Sequence, residues 1–303
     1  MTPAEPQSLS TSEGGDAASI RGAVLWMTGT LLSFLAMAIA ARELSDTLSP
    51  FQIVFLRTSV GLAIVLVIGA RMGRVRLHSG RPGLHFMRNV ANYGANLLWI
   101  AGVGLIPLAM VFALDFTVPI WLAVIAVIFL KEKMSLGKLV VILLGFAGVL
   151  IILRPGLVDI EEGSLIVLTA AVIFAVSNAM TKSLSGTDSS MTIVFYMFAI
   201  QWPMGLIPAA LVWVTPAWGD LPWILVIGLT AVTAHYCMSQ ALSLADATLV
   251  IPIDFLRLPM IAVIGIVFYG EPFSAYILLG AILMLAGNFY NIRAESRAAQ
   301  TGS

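Results

Sequence analysis

Residues 245–274 read ADATLVIPIDFLRLPMIAVIGIVFYGEPFS, and the part from residue 254 onward repeats an earlier stretch of the chain. The earlier copy, residues 115–135, reads DFTVPIWLAVIAVIFLKEKMS and is identical to residues 254–274 at eight of 21 positions. The same register pairs the Ala-Gly dipeptides at residues 147–148 and 286–287. The chain is therefore predicted to contain two copies of a unit of about 140 residues.

The composition is typical of an integral membrane protein. Hydrophobic residues make up 59% of the 303 residues and charged residues only 11%. Runs of about 20 nearly uncharged residues recur along the chain, and such runs are long enough to cross a bilayer as helices. The net charge is zero and no basic run indicates a nucleic-acid partner. We expect a location in the inner, or plasma, membrane of a cell, with membrane lipid as a partner.

Ten membrane-spanning helices are predicted, and they divide into two units of five. The first unit covers residues 20–153 and the second covers residues 162–292. A polar tail at residues 1–19 is predicted to be disordered, and residues 293–303 form a C-terminal tail. The predicted spans are, in chain order, 21–41, 50–70, 82–104, 107–130, 136–153, 162–183, 190–213, 221–244, 247–269 and 273–292.

The distribution of Lys and Arg predicts the orientation of the spans. With the N-terminus inside, eleven of these residues fall in cytoplasmic segments and two on the opposite side, and basic residues favour the cytoplasmic side. Both termini are therefore predicted to be cytoplasmic. Because each unit has an odd number of spans, the second unit must cross the membrane in the opposite sense. The predicted fold is all-α and integral to the membrane, with ten transmembrane helices as two inverted five-helix repeats, an architecture that recurs in secondary transporters.

Two predicted spans carry polar faces that are suited to a central cavity. In the span 82–104, polar and aromatic residues recur at spacings of four, four and three, which places them on one helical face. The span 221–244 has a second such face, and the repeat register makes the two spans equivalent. Amides in a bundle can also serve only to hydrogen-bond neighbouring helices. The candidate substrate-binding residues are Trp26, Arg88, Asn92, Tyr93, Asn96, Trp99, His235, Tyr236, Ser239 and Gln240.

Charged residues inside the predicted spans complete the candidate site. Arg57 and Asp115 lie at similar depths near the outer side, which predicts an ion pair between them. Near the inner side, Asp254 is predicted to pair with Arg88 or Arg257. Unpaired ions at these depths are costly, so the pairs act either as static struts or as contacts that form and break as access alternates.

Prolines within the spans are predicted hinges, since proline removes a backbone donor and bends a helix. The candidates are Pro119, Pro252 and Pro259. In transporters, helix interruptions that are paired between the two halves point to the binding site, whereas a single proline can be a permanent kink.

The two predicted units carry a family resemblance. Their span-ending glutamates occur in LKEKMS around Glu132 and in YGEPFS around Glu271, and residues 246–259 read DATLVIPIDFLRLP. On these features the sequence resembles the EamA-type members of the drug/metabolite transporter superfamily over about residues 20–292. The resemblance implies ten spans from two such units and the export of small metabolites from the cytoplasm. Within the family, the sequence is similar to exporters of amino acids, including the aromatic amino-acid exporters of the YddG type.

We therefore expect a secondary transporter that exports small amphipathic or zwitterionic metabolites by alternating access. A cavity with both signs of charge, amides and aromatic faces fits an amino acid, especially an aromatic one. Alternative substrates are nucleoside-like or S-adenosylmethionine-like metabolites or drugs, and alternative classes are a lipid-acting membrane enzyme or a channel. The sequence has no metal-ligand spacing, phosphate-binding glycine loop or recognisable nucleophile and base, so we expect no catalytic activity and no cofactor.

The remaining expectations concern assembly and energy coupling. The protein is expected to act as a monomer or a homodimer. Transport is expected to be facilitated exchange, or proton-coupled through groups other than a glutamate in the first span, because that span contains none.

Overall fold

The computed structural model describes residues 12–72, 79–128, 134–244, 253–254 and 256–301, and within these ranges the chain is helical. Eight stretches are long and apolar enough to cross a membrane, which is the pattern of a multi-pass membrane protein. The eleven helices of these ranges are α1 (Ser12–Ser45), α2 (Pro50–Met72), α3 (Pro82–Leu105), α4 (Leu108–Asp115), α5 (Val118–Ile128), α6 (Leu136–Leu153), α7 (Glu162–Ser185), α8 (Ser190–Leu211), α9 (Leu221–Leu244), α10 (Arg257–Tyr269) and α11 (Ala275–Thr301).

Two of the predicted spans are not among the eight apolar stretches. α3 has 24 residues, but polar side chains such as Arg88 and Asn92 lower its hydropathy. α10 has only 13 residues, because it begins at Arg257. The first part of that predicted span falls largely on residues 245–252 and 255, which lie outside the described residues, and Pro252 is among them.

The first and last helices extend into the predicted tails. α1 begins at Ser12, within the stretch predicted to be disordered. α11 continues to Thr301, because residues 294–301 are rich in helix-forming Ala, Glu and Arg. α1 therefore includes residues 12–19 of the predicted N-terminal tail, and α11 includes residues 293–301 of the predicted C-terminal tail.

The predicted span 107–130 is divided into two helices. α4 ends at Asp115, α5 begins at Val118, and residues 116–117 form a turn between them. Pro119 explains the break, because it lacks the N–H group that would bond the Asp115 carbonyl and its ring crowds that carbonyl. The side chain of Asp115 is therefore placed at a helix end instead of in the middle of a continuous helix.

The helices of the two halves pack against each other instead of forming separate bundles. α1 packs along α9, and α3 packs along α7, so the first helix of each half contacts the third helix of the other. α2 packs on α8, α4 on α10, and α6 on α11. The main hydrophobic core consequently contains residues of both halves.

α6 and α11 approach so closely that their backbones touch at glycines. A Cβ atom on Gly148 would lie 2.7 Å from the carbonyl oxygen of Gly280, and one on Gly280 would lie 2.6 Å from the carbonyl oxygen of Gly148. Small residues allow this kind of contact between helices in membranes. The small-residue faces of both helices are thus used within the chain.

Leucine at Gly148 is expected to lower the free energy of unfolding by about 1–3 kcal/mol, because the added side chain must push α6 away from α11. The measurement is thermal unfolding of the purified protein in detergent. The matched control is Gly69→Leu, since a Cβ atom on Gly69 of α2 would meet no atom within 4 Å. If Gly148→Leu and Gly69→Leu lower the thermal unfolding midpoint equally, the contact between Gly148 and Gly280 does not stabilise the packing of α6 on α11.

Asp188, in the turn between α7 and α8, connects several helices at one end of the bundle. The Ser79 hydroxyl donates to Oδ2 of Asp188 at 2.6 Å, and Nε2 of His85 lies 2.7 Å from the same oxygen. The His85 ring also stacks on Tyr196 with ring centroids 4.3 Å apart. The hydrogen bonds with Ser79 and His85 hold the pKa of Asp188 below its usual value, so this carboxylate stays ionised at neutral pH. These contacts fix the start of α3 against α7 and α8.

At the opposite end of the bundle, Glu271, between α10 and α11, connects several helices. Both carboxylate oxygens lie 2.9 Å from the amide nitrogen of Leu108, the first N–H group of α4. Oε1 also lies 3.4 Å from Nη2 of Arg42, whose Nη1 donates to the carbonyl oxygens of Val103 and Ile106. Glu271 thus caps α4 and, through Arg42, connects it to the ends of α1 and α3.

Candidate functional site

A cavity of about 320 Å³ lies between the two halves of the chain. Its walls come from α1 to α5 and from α7 to α10. The volume is at the lower end of the range of about 300–1,000 Å³ that is typical of ligand pockets. The described residues that line it are Phe34, Met37, Arg57, Arg88, Asn92, Asn96, Trp99, Asp115, Phe116, Val118, Pro119, Phe174, Asn178, Met197, Ala231, Ala234, His235, Met238, Asp254 and Arg257.

α3 turns its predicted polar face toward this cavity. Arg88, Asn92, Asn96 and Trp99 all line it. Tyr93, which was also a candidate, is buried in the hydrophobic core and does not line the cavity. It follows Asn92 directly in the helix and therefore points about 100° away from it.

α9 turns one of its predicted residues, His235, toward the cavity, while its other candidates do not line it. His235 lines the cavity together with residues 231, 234 and 238, which lie one turn apart. Tyr236 is 48% exposed, and its ring meets that of Trp26 with centroids 5.7 Å apart. Gln240 donates to the Tyr236 hydroxyl, and Ser239 does not line the cavity. The lining of the cavity does not include Trp26, Tyr236 or Gln240, although amphipathic side chains such as these can be stable either inside a bundle or at its surface.

Helices begin beside the cavity at equivalent positions of the two repeat copies. α5 begins at Val118 and α10 at Arg257, which are 139 residues apart and share one repeat position. Pro119 lines the cavity in the first turn of α5, and Pro259 lies in the first turn of α10 without lining it. Interrupted helices in corresponding positions of two halves are the pattern found at the binding sites of inverted-repeat membrane proteins.

Arg57 begins a chain of hydrogen bonds along the cavity wall. Its Nη1 atom donates to Oδ1 of Asn96 at 2.8 Å, and Nδ2 of Asn96 donates to Oδ1 of Asn92 at 2.9 Å. Gln201, fully buried in α8, donates to the same Asn92 oxygen at 2.8 Å. The guanidinium of Arg57 is therefore held by neutral amides.

Arg88 lies at the other end of this chain. Its Nη1 atom donates to Oδ1 of Asn89 at 3.1 Å, and its Nε atom donates to the Thr181 hydroxyl at 3.0 Å. Gln201 completes the connection with a longer hydrogen bond of 3.4 Å to Oδ1 of Asn89. Two cations in the cavity wall are thus joined through amides of α3 and α8.

Arg257 is the centre of a second group, which has mixed charge. Its Nη2 atom lies 3.1 Å from Oδ2 of Asp254. The guanidinium lies over the rings of Phe34 and Phe112, at 4.5 and 5.1 Å from their centroids, which is cation–π distance. Asp115 interacts electrostatically with Arg257 and with Asp254. Arg257 is thus paired with Asp254 and also interacts electrostatically with Asp115.

The predicted ion pair between Arg57 and Asp115 is not formed in the described part of the chain, although both residues line the cavity. Arg57 bonds an amide of α3 instead, and Asp115 interacts electrostatically with Arg257. Position along a span predicts depth but not the direction in which a side chain points, and here direction separates the two groups. Of the two alternatives for Asp254, the structure pairs it with Arg257 and not with Arg88.

Several residues of the site were not among the sequence candidates. Gln201 is fully buried within the hydrogen-bond chain, and Asn178 of α7 lines the cavity. Both are amides in otherwise apolar spans, where a polar group needs a partner, and that signal was available. Phe34 and Phe174 also line the cavity, but phenylalanine is so common in apolar spans that it gives no signal.

Comparison with known proteins gives two matches to one family. The sequence profile of the EamA-like transporter family matches residues 21–154 and, separately, residues 162–293. Each match covers one copy of the repeat, and together they cover most of the chain.

Individual relatives extend over nearly the whole chain. The S-adenosylmethionine uptake transporter of Rickettsia bellii is 24% identical over 273 residues, which cover 90% of this chain and 94% of the relative. The riboflavin transporter of Rhizobium johnstonii is 28% identical over 276 residues, which cover 90% of this chain and 91% of the relative. One solved crystal structure has a TM-score of 0.65 with 17% identity, covering 91% of this chain and 98% of that chain, which shows a shared fold.

Proposed function

Since this chain belongs to the EamA-like transporter family, we propose that it is a secondary transporter whose substrate binds in the cavity between its two halves. Family membership and the named relatives make the chain a membrane transporter and not an enzyme. The observation that carries the proposal is the cavity of about 320 Å³, lined by both halves and by residues at two equivalent helix starts.

The proposed architecture is ten membrane spans in two inverted five-helix repeats, with both termini in the cytoplasm. The packing supports it: the contact of α1 with α9 and that of α3 with α7 are equivalent under the repeat, as an inverted pair of units requires. The surplus of basic residues in the predicted cytoplasmic segments supports the orientation. Rocking of the halves about the shared cavity then provides alternating access.

The proposed substrate is a small zwitterionic metabolite, with amino acids, especially aromatic ones, as the first class. The described cavity wall contains three arginines and two aspartates, together with amides and the rings of Phe34, Trp99 and Phe174. Opposite charges suit an ammonium and a carboxylate, and the aromatic faces suit an apolar or aromatic side chain. Export from the cytoplasm is the proposed direction.

S-adenosylmethionine-like metabolites are the second candidate. The relative from Rickettsia bellii is named for uptake of S-adenosylmethionine, and it matches along 90% of this chain. S-adenosylmethionine carries an amino-acid group at one end and an aromatic base at the other, so it satisfies the same requirements of charge and ring packing. Since that relative is named for uptake, the assay must measure both directions of transport.

The test is counterflow in proteoliposomes loaded with one unlabelled compound and diluted into the same radiolabelled compound. The panel is phenylalanine, tryptophan, S-adenosylmethionine, riboflavin and adenosine. We expect transient accumulation of phenylalanine or tryptophan, and accumulation of S-adenosylmethionine alone selects the second candidate. Accumulation of adenosine or riboflavin without any of the zwitterions overturns the proposed substrate class. A complete absence of counterflow with every compound contradicts the proposed substrate classes.

A further inference from the structure

Two arginines in the cavity wall have only neutral partners. Arg57 and Arg88 are each 6% exposed and both line the cavity. Within the described residues, the hydrogen bonds of Arg57 go to an amide, and those of Arg88 go to an amide and a hydroxyl. The Nε atom of Arg57 is buried and has no hydrogen-bond partner in the described part of the chain. Neither guanidinium forms an ion pair with a described carboxylate.

Such an arrangement is unfavourable in the empty protein. A buried charge within a membrane bundle is costly unless an opposite charge or strong hydrogen bonds compensate it. His235, the third basic side chain of the cavity, interacts electrostatically with both Arg88 and Arg57, so the three groups face one region. The potential in this region therefore favours an anion.

The carboxylates of the cavity do not neutralise this region. Asp254 is paired with Arg257, and the charges that act most strongly on Asp115 are Arg257 and Asp254. The cavity is thus divided into a cationic part at Arg57 and Arg88 and a part with two carboxylates around one arginine. This division matches the two ends of a zwitterion.

We propose that the cationic part of the cavity, formed by Arg57 and Arg88, binds the carboxylate group of the transported substrate, which supplies a counter-charge to this part. The proposal rests on the transporter function of the cavity and assigns one end of the substrate to named residues. The planar guanidinium groups present paired donors that fit a carboxylate. The exposed amide of Asn178 lies in the same cavity and offers a further donor. The ammonium end of the substrate then faces Asp115 and Asp254.

The thermal stability of the ligand-free protein distinguishes a carboxylate-binding role of Arg57 and Arg88 from a purely structural role. If the two arginines hold the bundle together, replacing either one with a neutral side chain lowers the thermal midpoint. If the two arginines instead bind an anionic group of the substrate, Arg57→Gln and Arg88→Gln remove an uncompensated charge. The thermal unfolding midpoint of the ligand-free protein then stays the same or rises. The matched control is Arg71→Gln, at the exposed end of α2 and away from the cavity.

The binding test uses ligands that differ only in the carboxylate. Phenylalanine is compared with phenethylamine, and methionine with 3-(methylthio)propylamine, by titration of the purified full-length protein in lipid nanodiscs. We expect the wild-type protein and Arg71→Gln to bind each amino acid at least about tenfold more tightly than its amine, as charge-assisted hydrogen bonds predict. Arg57→Gln and Arg88→Gln should bind both members of a pair equally, at the affinity of the amine.

The outcomes separate the carboxylate subsite from the proposed function. Equal affinity of the wild-type protein for both members of each pair, or no binding of either amino acid, overturns the carboxylate subsite. A carboxylate preference that persists in both glutamine variants overturns it as well. If riboflavin shows counterflow while neither amino acid binds more tightly than its amine, transport by the cavity stands and the carboxylate subsite fails. If the carboxylate preference is found and depends on the arginines but no compound shows counterflow, the subsite stands and transport fails.

Discussion

Asp254→Asn is expected to lower transport by at least about tenfold and to lower the thermal midpoint of the folded protein. The substitution leaves the guanidinium of Arg257, 7% exposed, without its partner at 3.1 Å. Removing one member of a buried ion pair costs about 3–5 kcal/mol, because the other charge stays behind. Asp115 also interacts with Arg257 and takes over part of this role, so the loss falls toward the lower end of that range. The measurements are counterflow rate and thermal unfolding at matched expression.

A double variant separates the ion pair from other effects of this substitution. Asp254→Asn combined with Arg257→Met removes both charges, so the thermal midpoint should recover while transport stays low. The conservative control is Asp254→Glu, which keeps the charge and should retain more transport than the asparagine variant. Normal transport by Asp254→Asn would show that the mixed-charge group around Arg257 has no part in the transport cycle.

Glu271→Ala is expected to be the most destabilising single substitution outside the cavity. Leu108 is fully buried, and its amide has both oxygens of Glu271 at 2.9 Å. Loss of the carboxylate leaves this N–H group without its cap, which costs about 1–3 kcal/mol. Arg42 loses its carboxylate partner at the same time, so the ends of α1 and α3 lose their connection to α10 and α11. Thermal unfolding of the purified protein measures the effect.

Two further variants test the cap on its own. Glu271→Gln keeps an acceptor for the Leu108 amide and should fall between the wild type and Glu271→Ala. Gly265→Ala leaves the glutamate in place, but its Cβ atom would lie 2.2 Å from Oε2 of Glu271, so the carboxylate must move away from its partners. Gly69→Ala is the neutral control, with no atom within 4 Å of the added Cβ. Equal midpoints for Gly265→Ala and Gly69→Ala would contradict the role given to this carboxylate.

The cavity face of α3 could be predicted because only one face of that helix is polar. Arg88, Asn92 and Asn96 recur at one helical period, and lipid excludes such a face from the outside of the bundle. The periodicity therefore fixed both the helix and the side that turns inward. Asp115 and Asp254 were selected as charged residues inside predicted spans, and both line the cavity.

The rest of the site depends on directions that the sequence does not encode. Tyr236 and Gln240 of α9 recur at helical spacing too, but an amphipathic ring is stable against lipid, so two opposite faces of this helix were plausible. Arg57 and Asp115 share a depth, yet side-chain direction gave each a different partner. Gln201 became important only because α8 packs it against the amides of α3. Each of these features requires knowing which helices are neighbours.

The arginine that serves two carboxylates also breaks the symmetry of the repeat. Asp115 and Asp254 share one repeat position, whereas the counterpart of Arg257 in the first copy is Val118. Two identical halves that exchange conformations would give inward-facing and outward-facing states of equal energy. Under the proposed alternating access, the unmatched guanidinium is one of the differences between the halves that remove this degeneracy, and we expect the resting protein to favour one orientation even without a gradient. Because apparent affinity is reduced by the fraction of molecules that face the ligand, the same substrate is bound with different apparent affinity from the two sides of the membrane.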